Sequence, residues 1–218
     1  MLNKKDVGIV IIIGIATALV WVPVLTVVAG RPNAPLWFIL GTIGVPIIFI
    51  FGLLLGKFLS RWKEFWYRFA KYSAVGFLNT GIDFAVFDFL IFVTGIQIGG
   101  FIALFKGIGF AMGLINSYFW NKYWAFEARN STGSKIREFV VFSIVTAIGI
   151  ALNVSITALI ANYIHPPFGL SQLAWDNVAA AIATLSNLVW NFVGYHYLVF
   201  KFAGPGAEEE ESPIAGVA

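Results

Sequence analysis

The chain has 218 residues, of which 59% are hydrophobic and 11% are charged, with a mean hydropathy of +0.85 and a formal net charge of +3. Soluble domains are about 45–50% apolar and about 25% charged, so a soluble protein of this size has no core large enough for so many apolar side chains. Intrinsic disorder is excluded as well, because it requires low hydrophobicity and high net charge. The composition predicts a multi-pass membrane protein.

Cysteine is absent, which excludes disulfides, cysteine-ligated zinc, iron–sulfur clusters and thiol nucleophiles. The two histidines, His165 and His196, lie 31 residues apart and do not have the spacing of metal ligands. No nucleophile–base pair or phosphate-binding loop is recognisable in the sequence. We therefore expect no metal and no cofactor, and an enzyme is the least favoured functional class.

Six apolar stretches are long enough to cross about 30 Å of hydrocarbon, which takes roughly 20 helical residues. Within lipid the backbone has to satisfy its own hydrogen bonds, so at this composition the stretches are expected to be helices. In chain order, the predicted spans are 7–29, 35–56, 69–94, 100–120, 139–163 and 175–198.

Lysine and arginine are distributed unevenly around these spans. If all six stretches cross, twelve of the fourteen basic residues fall on one side, Arg31 falls on the other, and Lys106 lies inside the fourth span. Cytoplasmic loops carry the excess of basic residues, so both termini are predicted to face the cytoplasm, in the cytoplasmic (plasma) membrane. An alternative makes 1–29 a cleaved signal peptide, which leaves the topology of the remaining spans unchanged.

The last four spans are similar to one another in pairs. Residues 69–83 align with 139–153, and residues 116–126 align with 190–200. Two copies with two spans each would share one orientation, related by an axis along the membrane normal, as in some transporters. The alternative is chance similarity among apolar helices. The matched polar positions are Ser73 with Ser143, Asp83 with Asn153, Ser117 with Asn191, and Lys122 with His196.

Four segments resemble the GtrA-like family of small four-helix membrane proteins. They are RFAKYSAVGFLNTGIDFAVF at 68–87, NSYFWNKYWAF at 116–126, REFVVFSIVTAIGIALN at 137–153 and WNFVGYHYLVF at 190–200. The resemblance implies movement of polyprenyl-phosphate-linked sugars across the cytoplasmic membrane, or assistance to the glycosyltransferase that makes them. The second copy departs from the family pattern, because Gly-Tyr-His replaces the usual asparagine and basic residue.

The predicted fold is an all-α integral membrane protein with six transmembrane helices. A four-helix core of two parallel two-helix repeats is joined to an N-terminal helix pair. We predict the helix pair at 1–67, the GtrA-like core at 68–201 and an acidic disordered tail at 202–218. Within the core, the repeats are predicted at 68–127 and 137–201.

Asp83, Asp88 and Lys106 lie well inside predicted spans, where a central charge costs about 2.5–3.5 kcal/mol. Asp88 and Lys106 each lie about 9 Å below the outer surface, so they are predicted to pair. Asp83 is deeper and rotated by about 140° from Asp88 on the helix. The pair is interpreted either as structural, or as a site where Lys106 meets a lipid phosphate and the aspartates bind sugar hydroxyls. A third interpretation is snorkelling of these side chains toward the headgroups.

The other candidates are cations and aromatic residues at span ends, and amides on polar helix faces. An ammonium or guanidinium group suits a phosphate, and an indole suits the face of a sugar. The amides are equally explained by helix packing, in which small and polar residues let helices approach and hydrogen-bond. The candidates are Lys122, Arg129, Trp120, Trp124 and His196 at span ends, and Asn116, Asn187 and Asn191 on helix faces.

Three functions remain open at this point. The favoured one is translocation, or flipping, of a polyprenyl-phosphate-linked monosaccharide for surface polysaccharide or glycan synthesis. The second is a non-transporting anchor for a polyprenyl-phosphate glycosyltransferase, and the third is a small proton-coupled solute exporter that uses Asp83. The expected partners are the lipid-linked sugar, membrane lipids and a membrane glycosyltransferase. Nucleic acid is not expected because the basic residues lie at the membrane surface, and homo-oligomerisation is left open.

Overall fold

The computed structural model describes residues 2–29, 34–96, 98–128, 134–169 and 171–200. Within these ranges six α-helices follow one another, and each contains a stretch long and apolar enough to cross a membrane. The predicted fold class, an all-α membrane protein with six spans, is confirmed. The helices are α1 (Lys4–Ala29), α2 (Ala34–Leu59), α3 (Phe65–Thr94), α4 (Gly100–Trp120), α5 (Lys135–Tyr163) and α6 (Gln172–Gly194).

Several helices extend beyond the apolar stretches that predicted them. Helix α3 begins at Phe65, before the predicted start at 69, and α5 begins at Lys135, before the predicted start at 139. The additional turns carry charged residues and therefore lie outside the apolar stretches. The backbone ladder continues past these charges because a helix can extend from the hydrocarbon into the headgroup layer.

Helices α4 and α6 both end in a five-residue π-helical turn. The first π turn is Asn121–Ala125 and the second is Tyr195–Val199. The two turns occupy matching positions in the repeat alignment, and a buried phenylalanine, Phe126 or Phe200, follows each of them. Since well under 1% of residues in globular proteins are π-helical, their presence at both matched positions supports the internal duplication.

The residues Met1–Ala125 form the first of two compact units. In this unit α1 pairs with α2 and α3 pairs with α4, and both α1 and α2 pack against α3. The helices approach closely at glycines: a Cβ on Gly14 would lie 2.7 Å from Pro46 Cα, and one on Gly56 would lie 2.6 Å from Ala70 Cβ. The N-terminal helix pair is therefore held to α3 by close packing.

The residues Phe126–Ala218 form the second unit, in which α5 pairs with α6 and the second π turn packs against α5. Aromatic rings make up its core. Phe142 and Tyr195 are stacked with their ring centroids 4.3 Å apart. Phe126 lies 5.4 Å from Phe192 and 5.1 Å from Phe200, centroid to centroid.

Some predicted features lie outside the described residues. These are the basic residues Arg31, Arg129 and Lys201 and the acidic tail at 202–218. Arg129 was also a candidate site residue. The predicted domain boundaries and the orientation in the membrane stay predictions.

Candidate functional site

An ion pair joins α3 and α4 inside their membrane-spanning segments. Lys106 Nζ lies 2.6 Å from Asp83 Oδ2. The Lys106 side chain is 45% exposed and that of Asp83 is 18% exposed. The ammonium also lies 4.5 Å from the centroid of the Phe84 ring. The second carboxylate oxygen, Asp83 Oδ1, is buried and has no hydrogen-bond partner among the described residues.

The predicted pairing of Lys106 with Asp88 is wrong. Depth in the membrane favoured Asp88, but rotation about the helix axis decides the contact. Five residues separate the two aspartates, which places them about 140° apart around α3, and Asp83 is the one that faces α4. Asp88 is half-buried, and the described residues provide it with no ion pair or hydrogen bond.

A second polar contact joins α3 and α4 about three turns beyond Lys106 along α4. Asn116 Nδ2 donates to Asn79 Oδ1 at 2.6 Å. Asn79 and Asp83 lie four residues apart and so share a face of α3. Opposite them, a Cβ on Gly109 would lie 2.5 Å from the Asp83 carbonyl oxygen, and one on Gly113 would lie 3.0 Å from that of Asn79. Two glycines thus bring the helices close enough for short side chains to bond.

The second unit contains a corresponding contact between α5 and α6. In unit 1 the glycines lie on the second helix of the pair, α4, whereas in unit 2 the glycine lies on the first. Here the glycine lies on α5 and the amides lie on α6. A Cβ on Gly149 would contact the side-chain oxygens of Asn187 and Asn191. Asn191 Nδ2 donates to Asn187 Oδ1 at 2.8 Å, while Asn191 Oδ1 is buried without a hydrogen-bond partner among the described residues. Asn153, which aligns with Asp83, contacts Thr184 at 3.4 Å.

The exchange follows from the repeat alignment. Gly149 aligns with Asn79, and Asn187 aligns with Gly113, so each unit pairs one amide with one glycine at the same point of its hairpin. The structure thus places the predicted amides Asn116, Asn187 and Asn191 at contacts between neighbouring helices. Each amide is within reach of a second polar group of its own unit, and packing alone accounts for these contacts.

The candidates around the first π turn are more buried than interfacial residues would be. Lys122 is almost fully buried, and its ammonium contacts the Tyr118 hydroxyl at 3.3 Å. Trp124 is also buried, whereas Trp120 is half-buried and packs edge-on against it at 6.2 Å between ring centroids. These three side chains lie at the end of unit 1 where α1 and α3 begin and α2 and α4 end, which we call the basic end.

Sequence reasoning missed a buried ion pair at the basic end. Asp6, in the first turn of α1, contacts Lys71 of α3 at 3.1 Å between Oδ2 and Nζ. Tyr67 Oη donates to the same oxygen at 2.9 Å, and Trp124 Nε1 donates to Oδ1 at 2.9 Å. The side chains of Lys71 and Asp6 are only 2% and 7% exposed. The sequence contained a signal for this ion pair. Asp6 is the only acidic residue before Glu64, and Lys71 falls just inside the start of a predicted span, so both charges needed a partner.

His196 lies within the second π turn, at the position that aligns with Lys122. Its ring is parallel to that of Phe192, with an interplanar angle of 5° and a centroid distance of 6.4 Å, and it meets Tyr197 edge-on at 4.6 Å. His196 is half-buried among aromatic rings. In this surrounding it is a part of the aromatic core of unit 2.

Apart from the Asn79–Asn116 contact and the ring of His196, the described site residues form two groups in unit 1 and one in unit 2. The intramembrane group, Asp83 with Lys106, offers a cation that is accessible from outside the bundle. The group at the basic end offers buried donors arranged around a carboxylate. The amides of α6 offer an unpartnered acceptor against the backbone of α5.

Comparison with known proteins identifies the family. The family model of the GtrA/DPMS transmembrane domain matches residues 71–200. An uncharacterized membrane protein of Bacillus subtilis (strain 168), YngA, is 29% identical over 157 residues, which cover 72% of this chain and 94% of that protein. No solved structure matches the chain. The match confirms the resemblance inferred from the sequence motifs: the chain belongs to the GtrA/DPMS transmembrane-domain family and is a multi-pass membrane protein.

Proposed function

We propose that the protein translocates a polyprenyl-phosphate-linked monosaccharide across the cytoplasmic membrane, for the synthesis of surface polysaccharide or another glycan. Membership of the GtrA/DPMS family links the chain to the handling of polyprenyl-phosphate sugars. The observation that carries the proposal is the Lys106–Asp83 pair, in which the Lys106 side chain is 45% exposed although the pair lies inside two membrane-spanning segments. The protein moves the lipid headgroup and performs no chemistry on it.

A purely structural ion pair is best enclosed, because an exposed charge in hydrocarbon costs about 2.5–3.5 kcal/mol even on the lenient insertion scale. Lys106 is instead 45% exposed. An ammonium in this position can exchange its carboxylate partner for the phosphate of a lipid without losing charge compensation. The ammonium makes charge-assisted hydrogen bonds to carboxylate and to phosphate alike, so the bond gained is of the same kind as the bond given up.

The partner released by this exchange is suited to a sugar. Asp83 then presents two carboxylate oxygens, of which Oδ1 already has no hydrogen-bond partner among the described residues. Ionised carboxylates accept hydrogen bonds only, which matches sugar hydroxyl donors. Deeper along the same face of α3, the Asn79–Asn116 contact supplies the next polar groups for the headgroup.

The two other functional classes make different demands on this site. A non-transporting anchor for a glycosyltransferase needs the bundle surface but no exchangeable cation within the span. A proton-coupled exporter needs a carboxylate that is free to exchange protons, whereas the Asp83 carboxylate is held in an ion pair with Lys106 at 2.6 Å. The exposed Lys106 favours translocation over both.

The test is reconstituted transport of a fluorescent polyprenyl-phosphate monosaccharide in liposomes. The full chain with both Asp83→Asn and Lys106→Gln removes the pair without leaving an unpaired charge. We expect this double variant to insert and fold but to lose at least about 90% of the transport rate. The matched control is Lys57→Gln, which removes an exposed lysine from the end of α2 by the same substitution.

Full transport by the double variant would refute the role of Lys106 and leave the pair with a structural role only. Transport that is absent from the unaltered protein, together with a gain in activity of a co-reconstituted glycosyltransferase, would favour the anchor. Proton-coupled transport of a soluble solute that Asp83→Asn abolishes would favour the exporter.

A further inference from the structure

The Asp6 carboxylate at the basic end of unit 1 is surrounded by donors of three kinds. An ammonium (Lys71) and a phenol (Tyr67) contact one oxygen, and an indole N–H (Trp124) contacts the other, all at 2.9–3.1 Å. These groups donate to an anion and are held in place around it. We infer that Lys71, Tyr67 and Trp124 form a binding site for the phosphodiester group of a lipid, and that Asp6 occupies this site as an intramolecular competitor.

The charge of the site identifies the class of ligand. A phosphodiester carries one negative charge and presents two non-bridging oxygens, as does the carboxylate that it would replace. Burying a charge without its partner is costly, so an occupant with the same charge is the one that can exchange. The phosphodiester of a polyprenyl-phosphate-linked sugar and that of phosphatidylglycerol share this chemistry.

The positions of donors and acceptor in the fold make Asp6 the movable partner. Asp6 lies in the first turn of α1, beside the exposed residues Lys4 and Lys5. Trp124, in contrast, belongs to the buried apolar cluster of unit 1. Helix ends open locally at much lower free energy than packed cores do. Opening of one turn of α1 would free the donors while leaving them in place.

The residues matched by the family model also separate Asp6 from Lys71 and Trp124. Lys71 and Trp124 lie within the matched residues 71–200, whereas Asp6 lies on a helix that precedes them. The acidic group is thus contributed by the additional helix pair, while two of the three donors, Lys71 and Trp124, belong to the family segment. This site shares no residue with the Lys106–Asp83 pair, so the inference does not depend on the proposed translocation.

The test compares lipid binding by the full chain and its Asp6→Asn variant in dodecyl maltoside micelles, which contain no phosphodiester, by isothermal titration calorimetry. Asparagine keeps the volume of aspartate and accepts the indole hydrogen bond at Oδ1, but its Nδ2 is a donor that cannot accept from the Tyr67 phenol, and it no longer competes as an anion. We expect Asp6→Asn to bind a short-chain prenyl-phosphoryl monosaccharide at least about tenfold more tightly than the unaltered protein. Adding Lys71→Gln should remove this gain.

The matched control is Glu64→Gln, which removes an exposed acid from the same end of unit 1. Glu64 contacts Arg68 at 3.3 Å, and its side chain is 76% exposed. An equal gain with this control would overturn the inference, because general electrostatics would then explain the effect. Unchanged affinity of Asp6→Asn would overturn the inference too, and Asp6 would then have only a structural role in joining α1 to α3.

Short-chain phosphatidylglycerol forms the second arm of the titration. A gain for the prenyl-phosphoryl sugar alone identifies a site for the lipid-linked sugar, and a gain for both lipids identifies a general phosphodiester site; either supports the inference. Hydrogen–deuterium exchange on the unaltered protein covers the case in which Asp6→Asn does not fold. Saturating anionic lipid should accelerate amide exchange in the first two turns of α1, and unchanged exchange there would refute displacement of Asp6.

Discussion

Removing the two members of the intramembrane ion pair one at a time should destabilise the protein unequally. Lys106→Gln leaves the Asp83 carboxylate, 18% exposed, with one oxygen that already has no hydrogen-bond partner among the described residues. Breaking a buried pair from one side costs about 3–5 kcal/mol. Since this pair is partly exposed, we expect the lower end of that range, about 3 kcal/mol.

Asp83→Asn leaves an ammonium at the end of a flexible stem, on a side chain that is 45% exposed. Such a side chain can extend toward the headgroups and regain solvation. We therefore expect Asp83→Asn to cost about 1 kcal/mol, well below the cost of a charge at the bilayer centre. The double variant removes both charges and should cost less than Lys106→Gln alone.

The assay is reversible unfolding in mixed micelles by titration with sodium dodecyl sulfate, followed by circular dichroism. The free energies of unfolding of the four proteins form a double-mutant cycle, which isolates the interaction between the two side chains. Asp88→Asn is the control, because Asp88 lies on the same helix but forms no ion pair with the described residues. It should change the free energy of unfolding by less than about 1 kcal/mol.

Three results would refute this reasoning. If Asp83→Asn costs as much as Lys106→Gln, the assignment of the buried member to Asp83 is wrong. If the two single effects simply add in the double variant, the side chains do not interact and the observed contact has no energetic role. A loss of stability in Asp88→Asn equal to that of Lys106→Gln would restore the pairing predicted from the sequence.

Three further predictions concern packing, topology and the helix pair. Gly109→Ala should lower the free energy of unfolding by at least about 1 kcal/mol, because a Cβ there would lie 2.5 Å from a carbonyl oxygen of α3. The control is Gly107→Ala, which should be neutral because a Cβ at that position would meet no atom within 4 Å. Because the chain lacks cysteine, single cysteines introduced at Ser131 and Ser171 can be labelled with an impermeant reagent. The two cysteines should react from opposite faces of the membrane. Labelling of both from the same face would contradict the six-span topology. A chain beginning at Arg61 should still insert and remain monodisperse in detergent; aggregation or degradation of this chain alone would show that α1 and α2 belong to the core.

The fold class was determined by the sequence alone, because it depends on quantities that do not require contacts. Apolar length and the need to satisfy the backbone in lipid lead to six helices whatever their arrangement. The helix ends were less well determined, as at α3, which begins at Phe65 before the apolar stretch starts. The family could also be identified, because its motifs at the ends of the repeats are contiguous in the chain.

The partners of the charged residues were decided only by the tertiary structure. Depth can be counted along a helix, and it placed Asp88 and Lys106 at one level. Which side of α3 faces α4 depends on the close approach at Gly109, and that rotation brings Asp83 to Lys106 instead. A single sequence does not reveal this rotation, since every helix of a membrane protein is apolar around much of its circumference.

The same reason explains why the contact between Asp6 and Lys71 was missed. The two residues are far apart in the chain, and each has a sufficient local explanation, Asp6 as an acid in the first turn of a helix and Lys71 as one of many basic residues at a span end. Only the packing of α1 against α3 brings them to 3.1 Å. Local sequence therefore determined which segments cross the membrane, while the close packing of helices at small residues decided which polar groups meet within it.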